Sequence, residues 1–122
     1  MFENTGWIVE AKLKPGKKAE FEAVMNDLVA ETRKEAGTLN YQYYLSDDGD
    51  LLVYERFSDV GAAHIHVTNW DNFAERWVAA AEPTRMIHLG QLPDDLRARH
   101  SALAPLWLKP FGGFRRQCSA DY

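Results

Sequence analysis

Between residues 7 and 89 the spacing of apolar residues switches repeatedly between two periods, and the order of those switches limits the fold more than any single motif. Trp7, Val9, Ala11 and Leu13 alternate with Ile8, Glu10 and Lys12, which predicts a strand over residues 7–13. Pro15-Gly16 ends it. Phe21, Val24, Met25, Leu28 and Thr32 then fall on one face of a helix predicted over residues 17–35, and Gly37 stands where a helix-ending glycine belongs. Residues 38–45 and 51–57 alternate again on either side of Ser46-Asp47-Asp48-Gly49-Asp50, a turn signal, so they form a hairpin. Ser58 is placed to cap a second helix. That helix is expected to break near Asn69, at a capping box of Thr68 and Asp71, and to resume over residues 72–81. Pro83 is expected to end it, leaving residues 84–89 as a fourth main strand.

Strand, helix, strand, strand, helix, strand is the split βαβ order of a ferredoxin-like sandwich, an α+β fold with two helices on one face of an antiparallel sheet. The other face carries Ile8, Tyr44, Leu52, Tyr54, Ile87 and Leu89, an apolar set that needs a cover. Two sheets packed face to face in a homodimer supply one. Beyond the core at about 6–90, Pro93-Asp94-Asp95 starts a short helix in which Leu96, His100 and Leu103 share a face. Trp107, Leu108, Phe111 and Phe114 form an arm too aromatic to be a free tail. The 122 residues read as one domain, with this extension over about 91–122.

Parity also sorts the polar residues. Trp7, Val9, Ala11, Leu39, Tyr41, Tyr43, Val53 and Phe57 face the helices, and Glu55 falls among them; His88 joins if Met86 faces inward. An unpaired buried carboxylate is expensive, so Glu55 needs a partner or a wet pocket. His66, Asn69, Trp70, Phe73 and Trp77 recur at helical spacing and would share a face of a continuous second helix. One reading is a small-molecule cavity with Glu55, His66, Asn69 and His88 as its polar groups and Trp7, Tyr41, Tyr43, Trp70 and Trp77 as its walls. The other is a filled core with a satisfied Glu–His or Glu–Tyr hydrogen bond.

Other chemistries lack support. His64 and His66 are two apart on a helix and point in nearly opposite directions, and no CxxC, HExxH or phosphate-binding glycine pattern occurs, so no metal or cofactor is expected. The net charge of −4 is spread along the chain, which argues against nucleic-acid binding. Cys118 is the single cysteine and reads as a stray thiol near a terminus. The N-terminus lacks the regions of a signal peptide, and no apolar run approaches a membrane span, so a cytoplasmic protein without membrane partners is expected.

Lys14-Pro15-Gly16-Lys17, Thr32-Arg33-Lys34-Glu35-Ala36-Gly37 with Tyr41, and Tyr54-Glu55-Arg56-Phe57-Ser58-Asp59 leading to His66 together resemble the antibiotic biosynthesis monooxygenase domain over about residues 6–90. Ala36 replaces a proline usual in that family. The resemblance implies a dimeric α+β barrel with a pocket in each subunit between sheet and helices. It implies oxidation of a small phenolic, quinol or enol substrate by O₂ without cofactor, with His66 as candidate base, Glu55 orienting it or sharing the proton, and Asn69 and Tyr41 holding the substrate oxygen. A non-catalytic ligand-binding or structural dimer of the same fold is the alternative. Haem handling is the third reading, weakened because residues 7–13 lack the first-strand Asn of haem-degrading members.

Overall fold

The structure, a computed structural model, describes residues 5–116. Its elements are β1 (Thr5–Leu13), α1 (Lys18–Thr32), β2 (Thr38–Leu45), β3 (Asp50–Phe57), α2 (Val60–Trp70), α3 (Ala74–Ala80), β4 (Ala81–Leu89), α4 (Asp94–His100) and β5 (Leu106–Leu108). They form one five-stranded sheet in the order β2-β3-β1-β4-β5. All its pairings are antiparallel except the last, where β5 runs parallel to β4 along the edge. The ferredoxin-like α+β order read from the periodicities is therefore the observed one, with a fifth strand added by the extension. Cys118 and the last residues of the arm lie outside the described residues.

The helix-facing side of the sheet holds the core. Leu51, Val53, Glu55 and Phe57 of β3 are buried while their neighbours are partly exposed, as strand alternation requires. Ala11, Leu51 and Val53 pack under Phe21, Val24 and Leu28 of α1 and Trp77 of α3. A second cluster joins Trp7, Phe57 and Met86 of the sheet to Ala63 and Val67 of α2 and Leu96 of α4. The extension thus contributes a helix to the covered face as well as a strand to the sheet.

Several local expectations are corrected. Asp59, not Ser58, caps α2, its carboxylate accepting from the Ala62 backbone N–H at 2.8 Å. Thr68 lies inside α2 and caps nothing; the chain breaks later, over residues 71–73, and α3 begins at Ala74. Pro83 does not stop a helix but lies within β4, which already starts at Ala81. It is tolerated there because the β1–β4 register slips between Glu10 and Ala11, leaving Thr84 as the extra residue of a bulge. In the arm, Trp107 turns inward onto His88, whereas Phe111 and Phe114 are exposed.

On the outer face, Ile8 lies opposite Tyr54 on one side and Ile87 on the other, and Ile87 lies opposite Leu106. An apolar row therefore crosses four strands.

Gly37 has a different role from the one expected. Its backbone is not left-handed; instead, a Cβ there would sit 2.5 Å from Ala62 Cβ and 3.1 Å from Ser58 Oγ. The glycine lets the chain between α1 and β2 pass against the first turn of α2. That contact fixes the spacing between Glu35, two residues before it, and His66, one turn beyond Ala62. Gly37→Ala is expected to cost about 1–3 kcal/mol through overpacking, on the order of 5–10 °C in Tm by calorimetry, where a permissive surface glycine would show no loss.

Candidate active site

The polar centre is His66, whose side chain is 2% exposed. α2 carries it into the layer between helices and sheet, while His64, two residues earlier, stays near the surface 3.6 Å from Asp95. His66 Nδ1 donates to Glu35 Oε1 at 3.0 Å. On its other side Nε2 lies 3.0 Å from Glu55 Oε1, within ion-pair distance but off the line of a well-directed N–H bond. The imidazole thus bridges two buried carboxylates from different elements. Burial opposes its charge, but the two carboxylates outweigh burial and raise its pKa to about 9. At neutral pH it is an imidazolium with a proton on each nitrogen.

Glu35 is the member of this centre that periodicity did not single out. It lies three residues past α1 and is anchored by three donors: His66, Asn69 Nδ2 at 2.9 Å and Thr38 Oγ1 at 2.7 Å. Burial pushes its carboxyl up, and those hydrogen bonds with the His66 charge bring it below its ordinary value. A signal was present: Phe21, Val24, Leu28 and Thr32 form the buried stripe of α1, and position 35 continues it.

Glu55, His66, Tyr43, Trp70, Trp77 and Trp7 line one cavity of about 400 Å³, which Met86, Pro83 and Leu103 also border. That volume lies in the range of small-molecule sites. Asn69 is drawn aside to Glu35. Tyr41 stands behind Tyr43, its ring edge-on to His66 at 4.9 Å and its hydroxyl on that of Tyr43. The Tyr43 hydroxyl also accepts from Trp77 Nε1 at 3.1 Å. Burial raises both tyrosine pKa values, so they are neutral phenols. His88 is buried behind the wall against His100 and does not itself line the cavity. Among the described residues, no three His, Cys, Asp or Glu side chains are grouped to hold a metal ion, and no helix is long and apolar enough to cross a membrane.

The extension closes the far wall with Arg99, His100 and Ala102, none of which the sequence reading placed in a site. Arg99 is held by a bidentate pair with Asp71. His100 is pushed down to about 4 by burial and then by Arg99; His88 is also pushed down to about 4, first by burial and then by His100 and Arg97. Both are neutral at pH 7.

These shifts set a pH profile for stability. His66 has a folded pKa above its unfolded value near 6.5, so its contribution is complete below that pH and is lost as pH rises through about 9. His88 and His100 have folded values below 6.5, so their contribution is complete above it and declines as pH falls toward 4. Tm is expected to peak at about pH 6.5. His66→Gln is expected to flatten the alkaline limb, losing more stability at pH 6.5 than at pH 10; equal losses at both values would show that His66 is neutral.

The architecture recurs in solved structures. MupZ from Pseudomonas fluorescens superposes with a TM-score of 0.81 at 19% identity, over 93% of this chain and 95% of that one. Rv0793 from Mycobacterium tuberculosis gives 0.62 at 22% identity, over 75% and 98%. SnoaB from Streptomyces nogalater, described as a cofactor-independent oxygenase, gives 0.60 at 15% identity, over 69% and 88%. At these identities the likeness is one of fold. No curated protein sequence matches significantly. The model of the antibiotic biosynthesis monooxygenase family matches residues 6–76, which run from β1 into α3 and include Glu35, Glu55 and His66. The segment that builds the carboxylate–imidazole centre is thus the segment the family model describes, and the chain belongs to the antibiotic biosynthesis monooxygenase family.

Proposed function

We propose that this protein is a cofactor-independent monooxygenase for a small phenolic, quinol or enol substrate. The observation that carries the reading is the aromatic cavity with the Glu55–His66 pair on its wall. Family membership and the described activity of SnoaB support the reaction type. An imidazolium has no lone pair to accept a proton, so the base role first expected of His66 passes to Glu55. A substrate hydrogen beside Glu55 moves as a proton to that carboxylate, and the electron pair it leaves makes the conjugated system an anion. The His66 cation offsets the charge gathered there. The anion passes one electron to O₂. Superoxide and the substrate radical then combine, forming a C–O bond and a peroxide that takes the proton back from Glu55. At a carbon bearing a further hydrogen, loss of water leaves a carbonyl. All the electrons come from the substrate; one oxygen atom enters the product and the other leaves as water. Trp7, Tyr43, Trp70 and Trp77 keep bulk water from the anion, and Asn69 and Tyr41 brace Glu35 and His66 rather than touch the substrate.

Oxygen uptake with a panel of quinols and enols tests this. Glu55→Gln and His66→Ala should each lower the rate by about 10²–10⁴. No uptake with any substrate, alongside ligand binding, would favour the non-catalytic binding reading; unchanged rates in both variants would remove these residues from the mechanism.

We also propose that the protein is a homodimer joined through the outer sheet face. Ile8, Leu52, Tyr54, Ile87 and Leu89 remain partly exposed there, and Leu106 and Leu108 extend the patch at 38% and 41% exposure. Burying this set contributes several kcal/mol at roughly 25 cal/mol per Å², against the entropic cost of association. Sedimentation at low micromolar concentration should give twice the chain mass, and Leu52→Asp should shift it toward monomer or aggregate. A wild-type monomer would refute the interface.

A further inference from the structure

α4 brings to the cavity wall a group that the reaction above does not use. His100 is buried, with its Nδ1 2.8 Å from His88 Nε2 and the two rings edge to edge, their planes 25° apart and their centroids 5.0 Å apart. Trp107 stacks on His88 at 4.2 Å, and the Arg97 guanidinium lies over Trp107. His88 is therefore clamped in one orientation by groups from α4 and β5.

The proton positions follow from hydrogen-bond satisfaction. One proton lies between the facing nitrogens, since two lone pairs or two N–H groups would repel there. The remaining nitrogen of His88, Nδ1, is buried without a partner. A bare lone pair is tolerated in that position more readily than an orphaned N–H. His88 thus carries its proton on Nε2 and donates it to His100 Nδ1. A neutral imidazole that accepts at Nδ1 carries its own proton on Nε2. No protein partner among the described residues takes that N–H, and His100 lines the cavity.

Register places His88, to which this donor is bonded, relative to Glu55. Trp7 lies opposite Glu55 on β3 and opposite His88 on β4, so the three share one row of the inner face with Trp7 in the middle. Glu55 and His88 therefore flank the indole, about two strand spacings apart at their backbones, and His100, bonded to His88, meets the same indole edge-on at 5.2 Å. We propose that His100 Nε2–H donates a hydrogen bond to a second substrate oxygen, at the opposite end of the conjugated system from the hydrogen that Glu55 removes, and that His88 is the positioning residue that fixes this tautomer. The substrate class narrows accordingly, to hydroxy-ketones, quinols and extended enones whose negative charge comes to rest on a remote oxygen. This deepens the monooxygenase reading and rests on it for the identity of the base.

Binding tests it without turnover. 4-Hydroxyacetophenone and 4-ethylphenol are nearly the same shape and differ in the remote carbonyl. The wild type should bind the ketone about tenfold more tightly, the value of one good hydrogen bond, read by quenching of tryptophan fluorescence. His100→Phe should abolish that preference, while His100→Gln, whose amide N–H reaches a similar place, should keep part of it. His88→Gln still offers a donor to Nδ1 and should retain the preference that His88→Phe weakens. Long-range ¹⁵N–¹H spectra of the wild type at pH 7 should show both rings protonated at Nε2, whether or not any variant folds. A bare His100 Nε2, or a preference that survives His100→Phe, overturns the proposal. Binding of neither probe overturns the cavity reading together with it, whereas probe binding without oxygen uptake counts against the oxygenase alone.

Discussion

Two carboxylates share one imidazole in the interior, and that contact ties α2 both to β3 and to the segment that follows α1. An isolated buried carboxylate is strongly disfavoured, and two near each other more so. His66 makes the burial of both possible by carrying a proton on each nitrogen, 3.0 Å from Glu35 on one side and 3.0 Å from Glu55 on the other. The two acids are not equivalent. Glu35 is saturated by Asn69, Thr38 and His66 and acts as an anchor. Glu55 has a poorly directed contact with the ring and lines the cavity. The asymmetry leaves one carboxylate able to exchange a proton with a bound molecule while the other holds the cation in place.

The extension changes what kind of cavity this is. The family model ends at residue 76, within α3, and the matches to Rv0793 and SnoaB take in about three quarters of the chain or less. The longer overlap with MupZ reaches well into the region of β4, α4 and β5. Without α4 and the turn after it, the wall formed by Arg99, His100 and Leu103 is missing. The family segment therefore supplies the charged centre, and the extension supplies the opposite side, where its His100 pairs with His88 of β4.

Much of the fold was legible because strands and helices impose different periods on one buried face. Parity put Glu55 among the inward residues of β3, and helical spacing put His66, Trp70 and Trp77 on one face even though residues 71–73 break the helix. Other features depend on tertiary contact and carry no periodic mark. Pro83 reads as a helix stop by its chemistry, yet a bulge accommodates it in β4. His88 was expected at the substrate, but the stacking of Trp107 and the hydrogen bond to His100 hold it behind the wall. Glu35 was treated as the end of a helix; its phase with the buried stripe of α1 was the available clue. The pairing of His88 with His100 follows from where α4 docks, which no local spacing encodes.

The protonation state of His66 is the most direct point of decision, and neutron diffraction at neutral pD observes it. Deuterons on both ring nitrogens, with none on Glu35 or Glu55, are the predicted result. A singly deuterated ring beside a deuterated Glu55 carboxyl would contradict it, because the centre would then be a neutral hydrogen-bonded chain with no carboxylate free to accept a proton from a bound molecule.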